Sequence, residues 1–402
     1  MVALPVTLDA LDPELRAAVA GSELPAMVDP HPLLHRLRRE YRVTEAYGVV
    51  SVYRYDDVVT VLRAASSDDR HFPLYRPESV VDEPSFLHRD PPDHTRLRRA
   101  VGQRFTTRRV TRLRSFIQQR VDAAIDAIVD GELDLVPALA DPLPVAVVCE
   151  LLGVPVADRA FVGSWPRVQL CCSFEPGALQ ALADAMAPEA AVPVPDTELR
   201  DYFVALVDER GRRPCDDLVS ELLGELSVAE VNATVRLLFV AGYENAANLL
   251  GPGLLALLRS PAQWAAVAAA PGLVPGAVDE AVRYCAPFPF ARRVAATDLD
   301  VGGYHIERGQ QIIAWIAAAN RDPDHFVDPD RFDVHRTANR HLGFGSGVHA
   351  CLGAPLARMQ AEIVFETLTR RLVDPQPGRA AYRMDAFRCL RSLPVRAGFR
   401  PA

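Results

Sequence analysis

Cys351 is the residue whose surroundings most invite chemistry. It lies in the run His341-Leu-Gly-Phe-Gly-Ser-Gly-Val-His-Ala-Cys351-Leu-Gly353, and Gly343, Gly345 and Gly347 precede it. Glycine opens backbone turns that a Cβ would close. A helical pattern over Ala354 to Leu372 follows directly. That order predicts a sulfur at a helix N-terminus, where outward-pointing N–H groups favour a thiolate. Such a sulfur can ligate a metal or act as a nucleophile. The plainer alternative is a buried core cysteine beside a glycine-rich turn. The other six cysteines are scattered, with no Cys-x-x-Cys pair. That pattern argues against a disulfide framework or a zinc site.

The complete pattern Phe344-Gly345-x-Gly347-x-His349-x-Cys351-x-Gly353 resembles the haem-binding signature of the cytochrome P-450 family. The resemblance implies that Cys351 is the thiolate ligand to a haem b iron, favouring O–O cleavage over reversible oxygen carriage. Phe344 would pack beside the sulfur, and Gly353 would keep the loop close to the porphyrin. Glu280-Ala-Val-Arg283 resembles the family's Glu-x-x-Arg, whose ends share a helix face. The segment Asp330 to Arg336 resembles the region that adds a third charge, from Arg331 or Arg336. That trio has a structural role. The family's propionate contacts match His94 and Arg98, one helical turn apart, together with Arg293 and His349. Arginine offers a fork suited to a carboxylate. A solvated surface charge is the alternative for each, and His341 is a further candidate.

The segment Ala241-Gly242-Tyr243-Glu244-Asn245-Ala246 stands where the family carries Ala/Gly-Gly-x-Asp/Glu-Thr-Thr/Ser. By resemblance, Ala241 and Gly242 permit a local bulge over the haem. Glu244 and Asn245 become the catalytic pair, with Glu244 bringing protons from solvent. Asn245 departs from the usual threonine. A hydroxyl donates and accepts, whereas an amide donates but passes no proton on at ordinary pH. Either a substrate hydroxyl or trapped water completes the proton path, or the chemistry is one-electron coupling. The bland alternative is that Asn245 replaces threonine as a donor and ordinary hydroxylation is retained.

The implied activity is that of a haem-thiolate monooxygenase, activating O2 to oxidise a small natural-product intermediate, aromatic or polyketide-like, in secondary-metabolite or antibiotic biosynthesis. The substrate would be free or tethered to a carrier protein. The alternatives are a phenol-coupling or peroxide-driven haem oxidase, and a non-catalytic haem-fold recruitment protein. Electrons would come from NAD(P)H through an external ferredoxin and ferredoxin reductase, because the chain has no Cys₄ spacing and no Gly-x-Gly-x-x-Gly after a strand. Substrate contacts would come from Pro73 to Leu87, Trp165 to Pro195, Leu238 and Ala241, Pro287 to Phe290, and Arg391 to Leu393. Phe86, Phe174, Phe288 and Phe290 offer apolar walls, while Arg76 and Arg391 could read an anion. Arg96, Arg99, Arg104, Arg108, Arg109, Arg112 and Arg114 crowd one segment, predicting a docking face for an acidic ferredoxin. The alternative there is a solvated helix face.

The elements that must position these residues are mostly helical. Helical patterns cover Asp29–Arg39, Asp56–Ala64, Pro92 to about Gly131, Ala138–Leu152, Asp196–Glu209, Asp216–Leu226 and Pro275–Tyr284. Ser227-x-x-Glu230 is a capping box opening a very long apolar run. That run reaches Leu250, or Leu258 if Gly251-Pro252-Gly253 only kinks it, and it predicts a buried central helix. β signals cluster in Tyr41–Arg54 around Gly48 and after residue 287, with Gly302-Gly303 as a turn. Glu175 to Pro195 is Ala- and Pro-rich, a candidate lid. The fold class is mostly α with small β-sheets, a cytochrome P-450 fold with the long helix over the haem, as one domain over 1–402.

Composition narrows the rest. The chain has 402 residues, 49% hydrophobic, which excludes disorder as its main state. All 44 basic residues are Arg, and the net charge of −8 argues against nucleic-acid binding. No stretch approaches the roughly 18 apolar residues of a membrane span, and no signal pattern opens the chain. A cytoplasmic monomer without membrane contact is expected.

Overall fold

A computed structural model describes residues 6–7, 11, 29–46, 48–71, 85–105, 107–128, 131–164, 197–382 and 389–400. They fall into two compact units. One is drawn from 1–66, 118–141 and 245–402, and the other from 67–117 and 142–244.

The first unit holds every described strand. Val43–Ala46 and Val49–Val52 pair antiparallel across a turn in which Gly48 has φ +75°. The β-branched run around that glycine predicts this hairpin. Val49–Val52 then pairs parallel with Gln311–Ala314, which pairs antiparallel with Ala291–Val294. Val6–Thr7 closes the other edge, giving five strands. Val43, Val50, Val52 and Ile312 are buried in one cluster with Val58, Val61 and Leu62 of the helix Tyr55–Ala64. The predicted Gly302-Gly303 turn joins a two-stranded sheet, with φ +63° and +85°. A three-stranded sheet combines Glu132–Asp134, Pro394–Phe399 and Leu372–Pro377. Helices His31–Glu40, Val274–Cys285 and Ala354–Arg371 complete this unit's main scaffold.

The described part of the second unit is helical: Asp93–Gly102, most of a helix from Thr107, Pro142–Leu152 and Thr197–Arg212 lead it. The predicted Asp216–Leu226 helix is shorter, Leu218–Leu222: Asp217 caps its start by accepting the Ser220 N–H at 2.8 Å, and the chain turns at 223–225. The predicted Ala138–Leu152 stretch divides at Pro142. A π-type turn, Val136–Ala140, is closed by Asp141 N–H to Val136 C=O, and a separate α-helix follows.

The long helix runs over Val228–Leu258 and contributes residues to both units. Its capping box forms as predicted: Glu230 N–H donates to Ser227 Oγ (3.3 Å) and Ser227 N–H to Glu230 Oε2 (3.0 Å). Helical geometry continues through Gly251-Pro252-Gly253. A Cβ at Gly253 would lie 3.1 Å from Ala281 and from Phe365, so glycine lets this stretch lie close to two neighbouring helices. Among the described residues, no single helix is long and apolar enough to cross a membrane.

Candidate active site

Within the first unit, the sulfur loop is built from turns that its glycines permit. Gly345 and Gly347 take φ +73° and +78°, conformations costly to a residue with a Cβ. Gly345 N–H donates to Leu342 C=O and Ala350 N–H to Gly347 C=O. Cys351 N–H then donates to Phe344 C=O at 2.8 Å, closing the loop on itself. Cys351 is exposed, so the core-cysteine alternative does not hold. The following helix opens at Ala354, where the pattern predicts it, so the sulfur lies three residues before the first helical residue. A Cβ on the intervening Gly353 would meet only Cys351 Sγ, at 4.0 Å, so that side of the sulfur is open.

The Glu280–Arg283 pair stands behind this loop on the helix Val274–Cys285, and both residues are fully buried. Arg283 Nε and Nη2 donate to Glu280 Oε2 and Oε1 at 2.8 and 2.7 Å. Its remaining N–H groups reach the carbonyls of Asn320, Pro329 and Arg331. All five donors of the guanidinium are therefore engaged. The structure resolves the third charge: Arg336, not Arg331, reaches Glu280, with Nε 3.1 Å from Oε2. Arg331 supplies only its carbonyl. Asp333 N–H and Asn339 Nδ2 complete the carboxylate's shell. Sequence pattern gave no signal for Asn320 or Asn339, because a contact to a residue far along the chain leaves no periodicity. Asn320 Oδ1 also accepts Leu342 N–H at 2.7 Å, tying this lattice to the root of the sulfur loop.

The remaining candidates in this unit are placed as follows. Arg293 is buried on the strand Ala291–Val294, its Nη1 donating to Arg292 C=O. His349 ends the short 3-10 turn Gly347–His349 before Cys351. His341 is not available as a propionate contact. Gly343 N–H donates to its Nδ1 (3.2 Å), which leaves the proton on Nε2, 3.4 Å from Asp279 Oδ1. Asn245 lies on the long helix, partly buried.

In the second unit, Ala241, Gly242 and Glu244 occupy that helix, and Glu244 is buried. The backbone at 241–246 is regular α-helix, so the expected bulge is absent here. Gly242 has a local reason instead: a Cβ there would come 2.6 Å from Val148 Cγ2 of the helix Pro142–Leu152. His94 and Arg98 do share one helix, Asp93–Gly102. His94 is buried with Phe86 at its edge (centroids 6.4 Å apart), which makes Phe86 a packing partner of this histidine. Phe288, Phe290 and Trp315 form a ring cluster in the first unit. Arg76, Phe174, the lid candidate at 175–195 and most of the 73–87 segment lie outside the described residues.

The arginine-rich segment is partly paired. Arg96 pairs with Glu230, Arg104 with Glu225, Arg109 with Glu221 through two bonds, and Arg112 with Asp216. These four arginines are matched by acids of their own unit, forming an ion-pair seam, while Arg99 and Arg114 are exposed. The charge pattern showed the bases but not which acids would reach them.

The family model described as cytochrome P450 matches residues 272–383. The chain is 37% identical to the cytochrome P450 monooxygenase PikC of Streptomyces venezuelae, over 96% of this chain and 94% of that protein. It is 35% identical to the erythromycin C-12 hydroxylase of Saccharopolyspora erythraea, over 94% and 98%. The solved structure of the bacillaene polyketide synthase cytochrome P450 PksS from Bacillus subtilis 168 superposes with a TM-score of 0.82 at 32% identity, covering 94% of this chain and 98% of that one.

Proposed function

This chain belongs to the cytochrome P450 family, and from that premise we propose that it is a cytoplasmic monooxygenase oxidising a polyketide-like or aromatic natural-product intermediate. It is an oxidoreductase of the kind its relatives' names state, and the family implies haem iron. The residues fit that group: an exposed thiol on an open glycine loop suits the iron, and guanidinium and imidazole groups suit carboxylates. Bound through a thiolate, haem iron supplies reductive activation and cleavage of dioxygen.

The observation that carries the reading is Cys351, exposed, with its N–H fixed to the Phe344 carbonyl. In this proposal Cys351 ligates the iron, and Phe344 and Gly353 bound its sulfur. Arg293 and His349, and from the second unit His94 and Arg98, hold the propionates. Ala241 and Gly242 present a small surface to the haem. Glu244 carries protons inward and Asn245 orients a donor with its amide. The whole chain, 1–402, serves this one function. Bacterial members of the family normally draw electrons from a ferredoxin and its reductase, and we assign NAD(P)H as the source. The polyketide-like substrate rests on the names of PksS and the erythromycin hydroxylase. Carrier tethering rests on a similar fold, P450BioI, solved with an acyl carrier protein bearing a fatty acid.

The test is the absorption spectrum of the reduced carbonyl complex. The red-shifted Soret band of thiolate ligation is expected, and Cys351→Ser should abolish it together with turnover. A native protein that takes up haem without that band refutes the proposal. Asn245 favours a second reading, one-electron coupling, because an amide relays no proton. Asn245→Thr should then change the ratio of oxidised product to released peroxide; an unchanged ratio removes position 245 from control of proton delivery.

A further inference from the structure

We propose that His341, Asp279 and Arg358 are positioning residues that set the Phe344 end of the sulfur loop, and through it the donor strength of Cys351. The inference rests on the haem-thiolate reading above and assigns it three residues outside the signature's ligand and propionate set.

The three side chains form one connected bracket. Asp279 Oδ1 accepts Arg358 Nε at 2.8 Å and faces His341 Nε2 at 3.4 Å. Burial alone would raise the Asp279 carboxyl, but its hydrogen bonds to His341 and Arg358 outweigh that and hold it below the ordinary carboxylate value. A charged carboxylate therefore anchors both partners. His341, itself buried, accepts Gly343 N–H, and its ring lies 5.6 Å from that of Phe344. The Arg358 guanidinium sits 4.4 Å over the Phe344 ring centroid, within cation–π range. Phe344 is thus gripped by its ring, and its carbonyl is the acceptor of Cys351 N–H. That bond aligns the peptide nearest the sulfur, and hydrogen bonding around a ligating sulfur tunes the potential of its iron. Displacing the bracket should loosen Phe344 and alter the sulfur's surroundings without touching the sulfur.

Two substitutions divide the histidine's roles in the haem-loaded protein. His341→Gln keeps a donor toward Asp279 but loses the acceptor for Gly343 N–H, while His341→Asn keeps the acceptor. The expected result for His341→Gln is a shifted ferric/ferrous midpoint potential, partial loss of the thiolate carbonyl band, and kcat reduced about tenfold with KM retained. His341→Asn should restore most of the band. Arg358→Leu, at a partly exposed side chain, should shift the potential in the same direction and decides the matter if the His341 variants take up no haem. Wild-type potential and spectrum in His341→Gln and Arg358→Leu overturn the inference. Absence of the thiolate band from the wild-type protein overturns the haem-thiolate reading instead.

Discussion

Two arginine–carboxylate systems in this chain use the same chemistry and differ in what surrounds it. In the first unit, Glu280 and Arg283 are fully buried, and every donor of the guanidinium has an acceptor. In the second, Arg96, Arg104, Arg109 and Arg112 meet acids of which Glu221, Glu225 and Asp216 are exposed. Buried, a charge is tolerated only when its whole shell is supplied by protein, so each contact becomes indispensable. At the surface, water substitutes for any partner lost, and each pair contributes little. The lattice therefore fixes geometry, while the seam adjusts charge.

The largest expected effect follows from breaking the lattice. Glu280→Gln leaves Arg283 as a poorly compensated buried cation and should destabilise the protein by about 3–5 kcal/mol. Arg283→Lys should be nearly as damaging, since an ammonium has three donors and no planar fork. Urea unfolding measures both, and a loss below about 1 kcal/mol would place the lattice with ordinary surface pairs.

An intermediate case sharpens the comparison. Asp68 is buried in the second unit and accepts Arg70 Nε and Nη2 and the Arg70 and Asp90 N–H groups. Burial works to raise this carboxyl, yet those hydrogen bonds lower it below its ordinary 3.8. A carboxyl depressed on folding contributes stability above its unfolded value, and that contribution disappears as pH falls through the folded value. Asp68→Asn should therefore cost about 1.5–3 kcal/mol near neutral pH. The gap from wild type should close in acid, which unfolding curves at a series of pH values will show.

The smallest effect belongs to the seam. A double-mutant cycle on Arg109→Ala and Glu221→Gln should give a coupling of about 0.2–1 kcal/mol that shrinks with added salt. Arg112→Ala should change stability less still. If ferredoxin docks elsewhere, charge reversal at Arg112 will leave the first electron transfer unchanged.

What the amino-acid sequence disclosed, and what it withheld, divide along the same line. The sulfur loop, the Glu-x-x-Arg spacing, the capping box at Ser227 and the Gly48 hairpin are local, so type and spacing reveal them. Val49–Val52 lying parallel to Gln311–Ala314 is not local, and neither is the pairing of Glu132–Asp134 with Pro394–Phe399. Strands so far apart in the chain carry no mutual mark beyond a tendency to be β. The choice of Arg336 over Arg331 was settled by the fold of 327–336, where the Pro329 and Arg331 carbonyls reach the Arg283 guanidinium while Arg336 turns toward Glu280. Asn320 and Asp279 escaped notice because single polar residues on a helix or just past its end are commonplace, and only their partners make them informative.

Gly343 has a practical consequence for anyone remodelling this loop. A Cβ there would fall 2.4 Å from Val282 Cγ1 and 3.1 Å from the Val282 carbonyl. Directed-evolution libraries that randomise 341–353 with Val282 fixed should return glycine at this position almost without exception. Trimming Val282 to alanine in the parent removes the nearer clash, so productive diversity here has to be sampled on the loop and its neighbouring helix together.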